Sequence, residues 1–367
     1  MQEKNIDILL AYSDEADPGH VRYLTDYHPT FEKAIVIVPP EGHPILTVGP
    51  ECESYARATS RIKDVRLVED VQILGEEYPL AKYTSFKEIF KEIGSRRLNR
   101  LGIAGFDRFP APIYLRLQQI LPETEIVDAS EIFNNQRMKK SQNELSCIKR
   151  SYELTDKAVE AVLSVAEAGK TECEIAATGE NVMRSLGAEG TAYDTIVASG
   201  PNSRHQLARA TTRRIRRGEI VLVCMGARYE GYTSCVAFPF VVGAIPSRLR
   251  KVMEIGLEAM ERARATLKTG ALSQDVYRAA REVVEKAGLV KYFPYGVAHT
   301  VGLTEKDASF PYMTPSSNYV LGPNEVWSID IGLFGFRDFG FRFETGFATT
   351  EKDKKPLSKF KLDIFSV

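Results

Sequence analysis

The sequence predicts an α+β chain of two parts, in which an α/β domain precedes a larger domain of helices and strands. Three observations predict this organisation. A chain of 367 residues is long enough for about two domains. Its first third alternates short apolar runs with stretches of helical spacing, as α/β layers do. The remainder begins with long amphipathic stretches and continues with interleaved strands, which is typical of an α+β domain.

The first third contains five predicted strands and two predicted helices. Strands are expected from the apolar runs at 6–11, 33–38, 44–48, 100–105 and 125–128, and helices from the spacing at 85–93 and 111–120. The segment Pro39-Pro-Glu-Gly-His43 has turn chemistry, so the second and third runs are expected to form a β-hairpin. Together these elements predict an N-terminal domain over residues 1–133.

A polar, weakly patterned segment at 134–140 marks the predicted boundary, so the second domain covers residues 134–367. Ser141-Gln-Asn-Glu144 and Thr171-Glu-Cys-Glu174 have the spacing of capping boxes, in which a hydroxyl and a carboxylate satisfy free backbone N–H groups at a helix start. They predict helices that run to about Ala168 and Gly187. Further helices are expected at 247–268 and 273–287, and strands at 195–198, 219–224, 235–242, 325–331 and 341–349.

The composition excludes several functional classes. With 44% hydrophobic residues the chain is not a disordered one, and a net charge of −1 offers no basic excess for nucleic-acid phosphates. The longest apolar runs, such as 33–39, fall far short of the ~20 residues of a membrane span, and the N-terminus lacks a secretory signal. Five cysteines without a CxxC pair favour a reducing compartment. We therefore expect a cytoplasmic protein that binds neither membranes nor nucleic acid.

Two acidic residues interrupt otherwise apolar strands. Asp330 lies in Trp327-Ser-Ile-Asp-Ile-Gly332, and Glu344 lies in Phe341-Arg-Phe-Glu-Thr-Gly346. A carboxylate on a core strand is costly unless an ion, a donor or a proton satisfies it. We therefore expect Asp330 and Glu344 to face one shared polar site.

The order of these polar landmarks resembles the creatinase/prolidase/methionine aminopeptidase superfamily (M24), and covers essentially the whole chain. The motifs that carry the resemblance are Ile196-Val-Ala-Ser-Gly-Pro-Asn202, Gly218-Glu-Ile-Val-Leu-Val, Gly231-Tyr-Thr-Ser, Val242-Gly243, His299 with Gly302-Leu303, and Arg342-Phe-Glu344. The resemblance implies a pita-bread C-terminal domain preceded by an α/β creatinase-like N-terminal domain, as in Xaa-Pro dipeptidases and creatinase. It also implies a homodimer that acts on a small-molecule or dipeptide-like substrate.

The metallopeptidases of this superfamily hold two divalent metals with two Asp, one His and two Glu. By resemblance these ligand positions fall, in order, on Cys224, Cys235, His299, Asp330 and Glu344. Three of the five differ in type from the pattern, and only His299 and Glu344 are kept. The first two positions lie 11 residues apart, a spacing that resembles that of the superfamily's aspartates.

Two further histidines of the superfamily assist proteolysis, and neither is kept. Their positions fall on Leu207 and Lys306, although His205 lies two positions before Leu207. A histidine at the Leu207 position is the acid/base group of the metal-free creatinase, so that mechanism is not matched either. The candidate substrate-binding residues are His205, Arg209, Lys306 and Arg342.

Thiols in place of aspartates change the expected chemistry. Carboxylates bind hard ions and can bridge two of them, whereas a thiolate suits zinc. A dinuclear centre is therefore not expected, and no cofactor is favoured. A single zinc on Cys224, Cys235 and His299, with or without Glu344, stays open as an alternative. Two further alternatives also stay open. Both cysteines can pack as small core residues, which we favour, or they can form a disulfide with each other.

Three functional hypotheses follow. The first is a hydrolase of a C–N bond in a small molecule, in which His299 is the acid/base group and Glu344 and Asp330 orient it or activate water. Attack by Cys224 or Cys235 is a subordinate version of it. The second is a non-catalytic pseudoenzyme that keeps the pocket for ligand binding. The third is a metal-dependent Xaa-Pro dipeptidase with unusual ligands.

Overall fold

The computed structural model describes residues 1–71, 77–93, 98–307 and 312–367. The chain divides into two compact units, Met1–Gln136 and Arg137–Val367. This division falls within the helix Ser130–Met138, which also contains the predicted boundary at 133/134. Among the described residues, no helix combines the length and the apolar character that crossing a bilayer requires.

The first unit is built on a seven-stranded sheet with helices beside it, in the order β5-β4-β3-β2-β1-β6-β7. Its strands are β1 Ile8–Ser13, β2 Ala34–Val38, β3 Ile45–Val48, β4 Val65–Val68, β5 Tyr83–Thr84, β6 Arg100–Ala104 and β7 Glu125–Asp128. Its helices are α1 Gly19–Thr25, α2 Glu53–Thr59, α3 Phe86–Glu92, α4 Ala111–Ile120 and α5 Ser130–Met138. The antiparallel pairing of β2 with β3 confirms the predicted hairpin.

Some elements of this unit differ from the prediction. The sequence analysis does not predict α1, α2, β4 or β5. Helix α2 buries only Ala56 and strand β5 consists of two half-buried residues, so neither has an apolar face that periodicity can reveal. Helix α5 continues through Met138, where the sequence predicts only a polar segment. The helix forms there because Phe133 is buried in the apolar core of the first unit and anchors it.

The second unit contains a larger sheet in the order β14-β15-β16-β13-β10-β9, with β17 paired to β16 and β18 to β13. A second, three-stranded sheet has the order β12-β11-β8. The strands are β8 Gly190–Thr191, β9 Ile196–Ser199, β10 Ile220–Met225, β11 Ala227–Tyr229, β12 Tyr232–Thr233, β13 Val236–Val241, β14 Ala298–Thr300, β15 Val326–Leu333, β16 Phe341–Thr349, β17 Lys354–Pro356 and β18 Phe365–Ser366.

Four helices accompany this sheet: α6 Gln142–Val165, α7 Glu172–Ser185, α8 Ser247–Thr266 and α9 Ser273–Lys286. Both predicted capping boxes are confirmed, since Ser141 and Glu144 cap α6 and Thr171 and Glu174 cap α7. Helix α6 ends at Val165 and α7 at Ser185, slightly earlier than the predicted ends at Ala168 and Gly187, and non-helical backbone follows both.

Alternation along the central strands separates an apolar face from a polar one. On β15, Trp327, Ile329 and Ile331 belong to the same buried apolar cluster as residues of α8 and α9. Successive side chains of a strand point to opposite faces. Ser328 and Asp330 therefore point away from these helices, and the polar face of the sheet is where a site can form.

Candidate active site

Strand register places a row of side chains across the polar face of the larger sheet. Cys224 on β10 pairs with Ala237 on β13, Ala237 pairs with Glu344 on β16, and Glu344 pairs with Asp330 on β15. Residues directly opposite each other in a sheet point to the same face. Cys224, Glu344 and Asp330 therefore form one row, which we call the polar row, and all three are completely buried.

Two glycines keep space open beside the polar row. Gly332 pairs with Arg342, and Gly346 pairs with Ser328. A Cβ at Gly332 would overlap the hydroxyl of Tyr295, and one at Gly346 would overlap the hydroxyl of Tyr152. Glycine at these positions therefore lets two tyrosine hydroxyls lie directly against the sheet.

Four side chains converge around Glu344, which lies between Cys224 and Asp330 in the polar row. The ligand atoms of Cys235, His299, Glu305 and Glu344 all lie within 4.8 Å of one another. We call these residues the four-residue cluster; within the described part of the chain, they are the group that could hold a metal ion. His299 Nε2 lies 2.9 Å from Glu344 Oε1 and 3.3 Å from Glu305 Oε1. The sulfur of Cys235 lies 3.2 Å from the hydroxyl of Tyr193.

His299 and Glu344 stabilise each other's charged forms. Burial opposes the charged form of His299, but the carboxylates of Glu305 and Glu344 raise its pKa to about 9. Burial likewise opposes the charged form of Glu344, yet His299 and Arg342 lower the pKa of that carboxyl to about 2. Without a cation, therefore, His299 carries a proton and Glu344 is ionised at neutral pH.

Asp330, at one end of the polar row, forms an ion pair that a tyrosine hydroxyl supports. Arg342 Nε lies 3.2 Å from Asp330 Oδ1, and the Tyr295 hydroxyl donates a hydrogen bond of 3.0 Å to the same oxygen. Arg342 Nη1 also lies 3.7 Å from Glu344 Oε2. Burial outweighs the effect of Arg342 and raises the pKa of Asp330 to about 7.

Two carboxylate oxygens of the row are left without hydrogen bonds. Asp330 Oδ2 and Glu344 Oε2 are buried and have no hydrogen-bond partner among the residues that the structure describes. A buried, unpartnered oxygen costs about 1–3 kcal/mol, and more for a charged group. Both atoms are therefore well suited to bind a water molecule, a polar substrate group or a cation.

The residues present fit one cation better than two. Cys224 and Asp330, at two of the five ligand positions that the resemblance implies, lie outside the four-residue cluster. Burial raises the pKa of the Cys224 thiol to about 12, so it offers a neutral sulfur instead of a bridging carboxylate. Asp330 is already paired with the guanidinium of Arg342.

The predicted site residues are only partly brought together. Cys235, His299 and Glu344 meet in the four-residue cluster, while Cys224 and Asp330 share only the polar row. Arg342 is buried in an ion pair with Asp330.

The remaining candidates for substrate binding lie toward the outside. His205 is exposed, and so is Leu207, which is not a binding candidate but the position at which the resemblance implies a histidine. Arg209 is 86% exposed in its side chain and pairs with Asp194. The Lys306 ammonium lies 4.8 Å from the ring centre of Tyr312.

Sequence reasoning does not find Glu305. The residue lies in the segment that follows His299, next to Lys306, and its approach to the other three side chains of the cluster depends on a turn. The only signal in the sequence is its position six residues after His299, which by itself is too common to indicate a ligand.

Comparison with known proteins decides the family. The sequence matches the profile of metallopeptidase family M24 over residues 146–351 and that of the creatinase/prolidase N-terminal domain over residues 1–139. The chain belongs to metallopeptidase family M24. The predicted superfamily, the pita-bread domain and the creatinase-like domain before it are thereby confirmed, as is a hydrolase of C–N bonds.

Relatives within the M24 family cover most of the chain. The Xaa-Pro dipeptidase of Pyrococcus furiosus is 31% identical over 286 residues, which are 78% of this chain and 80% of the relative. The solved prolidase from Pyrococcus furiosus has a TM-score of 0.83 at 28% identity, and the alignment covers 98% of both chains. An X-Pro aminopeptidase from Thermotoga maritima has a TM-score of 0.85 at 25% identity, covering 100% of this chain and 97% of the other.

Proposed function

We propose that this chain hydrolyses the C–N bond of a small, dipeptide-like molecule at the polar row, without a dinuclear metal centre. The observation that carries the proposal is the pair of buried, unpartnered oxygens, Asp330 Oδ2 and Glu344 Oε2, beside a cluster able to hold one positive charge. The names of the relatives, Xaa-Pro dipeptidases, support a substrate of dipeptide size.

The proposed roles follow from the geometry. Hydrolysis adds hydroxide to the carbonyl carbon and a proton to the leaving nitrogen. Asp330 Oδ2 would accept the proton of the attacking water and return it to that nitrogen, while Arg342 and Tyr295 hold the opposite oxygen of the carboxyl. His299 and Glu344 would hold a cation, whose positive charge would polarise the substrate carbonyl.

A divalent cation is not required for one version of this reaction. His299 Nε2 lies 2.9 Å from Glu344 Oε1, and the imidazole is protonated at neutral pH because its pKa is raised to about 9. In this second candidate mechanism His299 is the acid that protonates the leaving group. It predicts turnover that exhaustive chelation does not reduce, whereas a cation-dependent enzyme would lose activity.

Nucleophilic attack by a cysteine receives no support from the site. A reactive cysteine needs a lowered pKa. Burial raises the pKa of the Cys224 thiol to about 12 and the pKa of the Cys235 thiol well above its usual range.

Turnover assays test the proposal. We expect hydrolysis of at least one member of a panel of Xaa-Pro dipeptides, other dipeptides and small amidines, assayed with and without added divalent ions. Asp330→Asn should lower kcat by about 100- to 10,000-fold, because it removes the proton acceptor. Lys157→Gln, at an exposed ion pair with Glu160, is the control and should leave kcat unchanged. Binding of these molecules without any turnover would instead favour a pseudoenzyme.

The remaining expectations concern the assembly and the compartment. We propose a homodimer, as the family resemblance implies, and a cytoplasmic location, which the five cysteines support. Light scattering should give twice the chain mass of 41.0 kDa, and the mass of a single chain would overturn the dimer.

A further inference from the structure

The four-residue cluster combines three kinds of donor atom from four separate segments. Cys235 precedes β13, His299 lies on β14, Glu344 lies on β16 and Glu305 lies in the turn after β14. Cys235, His299 and Glu344 are almost completely buried, with exposed fractions of 1%, 1% and 0%, whereas the Glu305 side chain is 24% exposed. One sulfur, one nitrogen and two carboxylates thus face the same small volume.

The hydrogen bonds of His299 require a positive charge at the centre of the cluster. Nδ1 lies 3.1 Å from the carbonyl oxygen of Thr300, which can only accept, so Nδ1 carries a proton. Nε2 then faces carboxylate oxygens of Glu344 and Glu305. An unprotonated Nε2 would direct its lone pair at two anions, so either a proton or a metal cation must lie there.

A second observation points to a ligand. Glu344 Oε2 is a buried carboxylate oxygen that has no hydrogen-bond partner within the described ranges of the chain, and Arg342 Nη1, at 3.7 Å, lies beyond hydrogen-bond distance. A proton on His299 Nε2 would satisfy only Glu344 Oε1 and Glu305 Oε1, whereas the sulfur of Cys235 would keep only its contacts with the Tyr193 hydroxyl and with Glu344. A cation can use all four side chains.

We propose that Cys235, His299, Glu305 and Glu344 bind a single divalent cation of the zinc class, in which Glu305 supplies the carboxylate that is absent at position 235. The inference deepens the proposed function and rests on it. A set of one thiolate, one imidazole and two carboxylates is a tetrahedral zinc set, whereas manganese and calcium prefer oxygen donors alone. On binding, the thiol proton of Cys235 and the Nε2 proton of His299 leave to solvent.

Glu305 is the ligand that substrate or water would displace. The other three ligands lie on or beside strands of the sheet and are buried, but Glu305 is partly exposed and belongs to a turn. Catalytic zinc sites keep one position for water or substrate. Glu305 would fill that position in the resting protein. When substrate or water displaces it, the three buried ligands would still hold the cation.

A buried ion cluster fixes the turn that carries Glu305. Asp307 accepts hydrogen bonds from Arg137 and from Lys140, the latter at 3.2 Å, and all three are at most 4% exposed. The Thr300 hydroxyl donates to the carbonyl of Asp307. A Cβ at Gly302 would overlap the Asp307 carboxylate, so the close turn requires glycine there.

Cobalt substitution tests the proposed site in the full chain. We expect the protein to bind one equivalent of zinc, and the cobalt-loaded protein to have a near-ultraviolet thiolate-to-metal absorption band. Cys235→Ser should abolish this band and weaken zinc binding on the order of 100-fold or more, since loss of even an outer-shell partner costs 10–100-fold. Cys224→Ser is the matched control, because Cys224 is equally buried and lies outside the cluster; it should keep both the band and the affinity.

A second variant tests Glu305 without disturbing the buried core. Glu305→Gln should keep the absorption band while weakening zinc binding at least 10-fold. An unchanged affinity would show that Glu305 is not a ligand. Circular dichroism of each variant without metal confirms that it is folded, so that a loss of binding can be assigned to the missing donor.

The remaining outcomes separate this inference from the proposed function. A protein that turns over substrate but binds no cation would overturn the zinc site and leave the hydrolase standing. A band that persists in Cys235→Ser would overturn the thiolate ligand. Two bound equivalents of metal would overturn both the single-cation site and the proposed absence of a dinuclear centre.

Discussion

At the scale of single residues, the buried pair of Arg342 and Asp330 decides the stability of the site. Arg342→Gln would leave Asp330 without its charge partner and should lower the free energy of unfolding by about 3–5 kcal/mol. Asp330→Asn should also destabilise the protein, and the double variant should lose less than the sum of the two. Urea unfolding of the single and double variants measures this coupling.

The exposed pair of Arg209 and Asp194 is the matched control for this double-variant cycle. Its side chains are 86% and 74% exposed at a separation of 2.9 Å. Water screens such a pair, so its coupling should stay below about 1 kcal/mol. Equal couplings for the two pairs would contradict the interpretation that burial gives the Arg342 pair its strength.

At the scale of elements, Glu172 connects helix α7 to the Ser-Gly-Pro-Asn motif after β9. The carboxylate is completely buried. It accepts hydrogen bonds from the backbone N–H of Ser199 at 2.7 Å, from the Asn202 amide at 3.1 Å and from the backbone N–H of Thr211 at 3.0 Å. Its position thus explains why this motif has polar side chains: they satisfy one buried carboxylate.

Glu172→Gln should destabilise the protein, because an amide nitrogen cannot accept the hydrogen bonds that one carboxylate oxygen accepts. We expect the free energy of unfolding to fall by about 2–3 kcal/mol and the amide of Ser199 to exchange faster with deuterium. Exposed Glu167→Gln is the control. A Glu172→Gln protein as stable as this control would exclude the bridging role.

At the scale of the whole molecule, the fold of the family is retained while the side chains at the site differ from the ligand set that the resemblance implies. Three solved relatives superpose with TM-scores of 0.83 to 0.85 over nearly the whole chain. Yet cysteines occupy the two positions at which the resemblance implies aspartates. Side chains alone should therefore set the number of bound cations.

Restoring the implied ligands tests this expectation. The triple variant Cys224→Asp, Cys235→Asp and Asp330→Glu should bind two equivalents of manganese, measured by metal analysis. Without metal its thermal midpoint should fall below that of the parent protein, because buried carboxylates lack a counter-charge, and added manganese should raise it again. Failure to bind a second equivalent would mean that the surrounding residues, and not the ligands, limit the site to one cation.

Much of the fold could be predicted from the sequence because its signals are local. The capping boxes at Ser141 and Thr171 fix two helix starts through contacts three residues apart. Alternation around Asp330 and Glu344 predicts that both face one side of the sheet, and the register confirms it. Elements such as α2 and β5 were not predicted, because α2 buries only Ala56 and β5 is a pair of half-buried residues, so neither has a clear apolar face.

By itself, the sequence determined the family, the two-part organisation and the presence of His299 and Glu344 at a polar site, since these depend on residue order and periodicity. Only the tertiary structure decided which side chains meet. The strand register places Cys224 opposite Ala237 and not beside Cys235. Arg342 forms an ion pair with Asp330. A turn that buried Asp307 stabilises brings Glu305 close to His299. These contacts join residues far apart in the chain, and their partners depend on distances that no local pattern encodes.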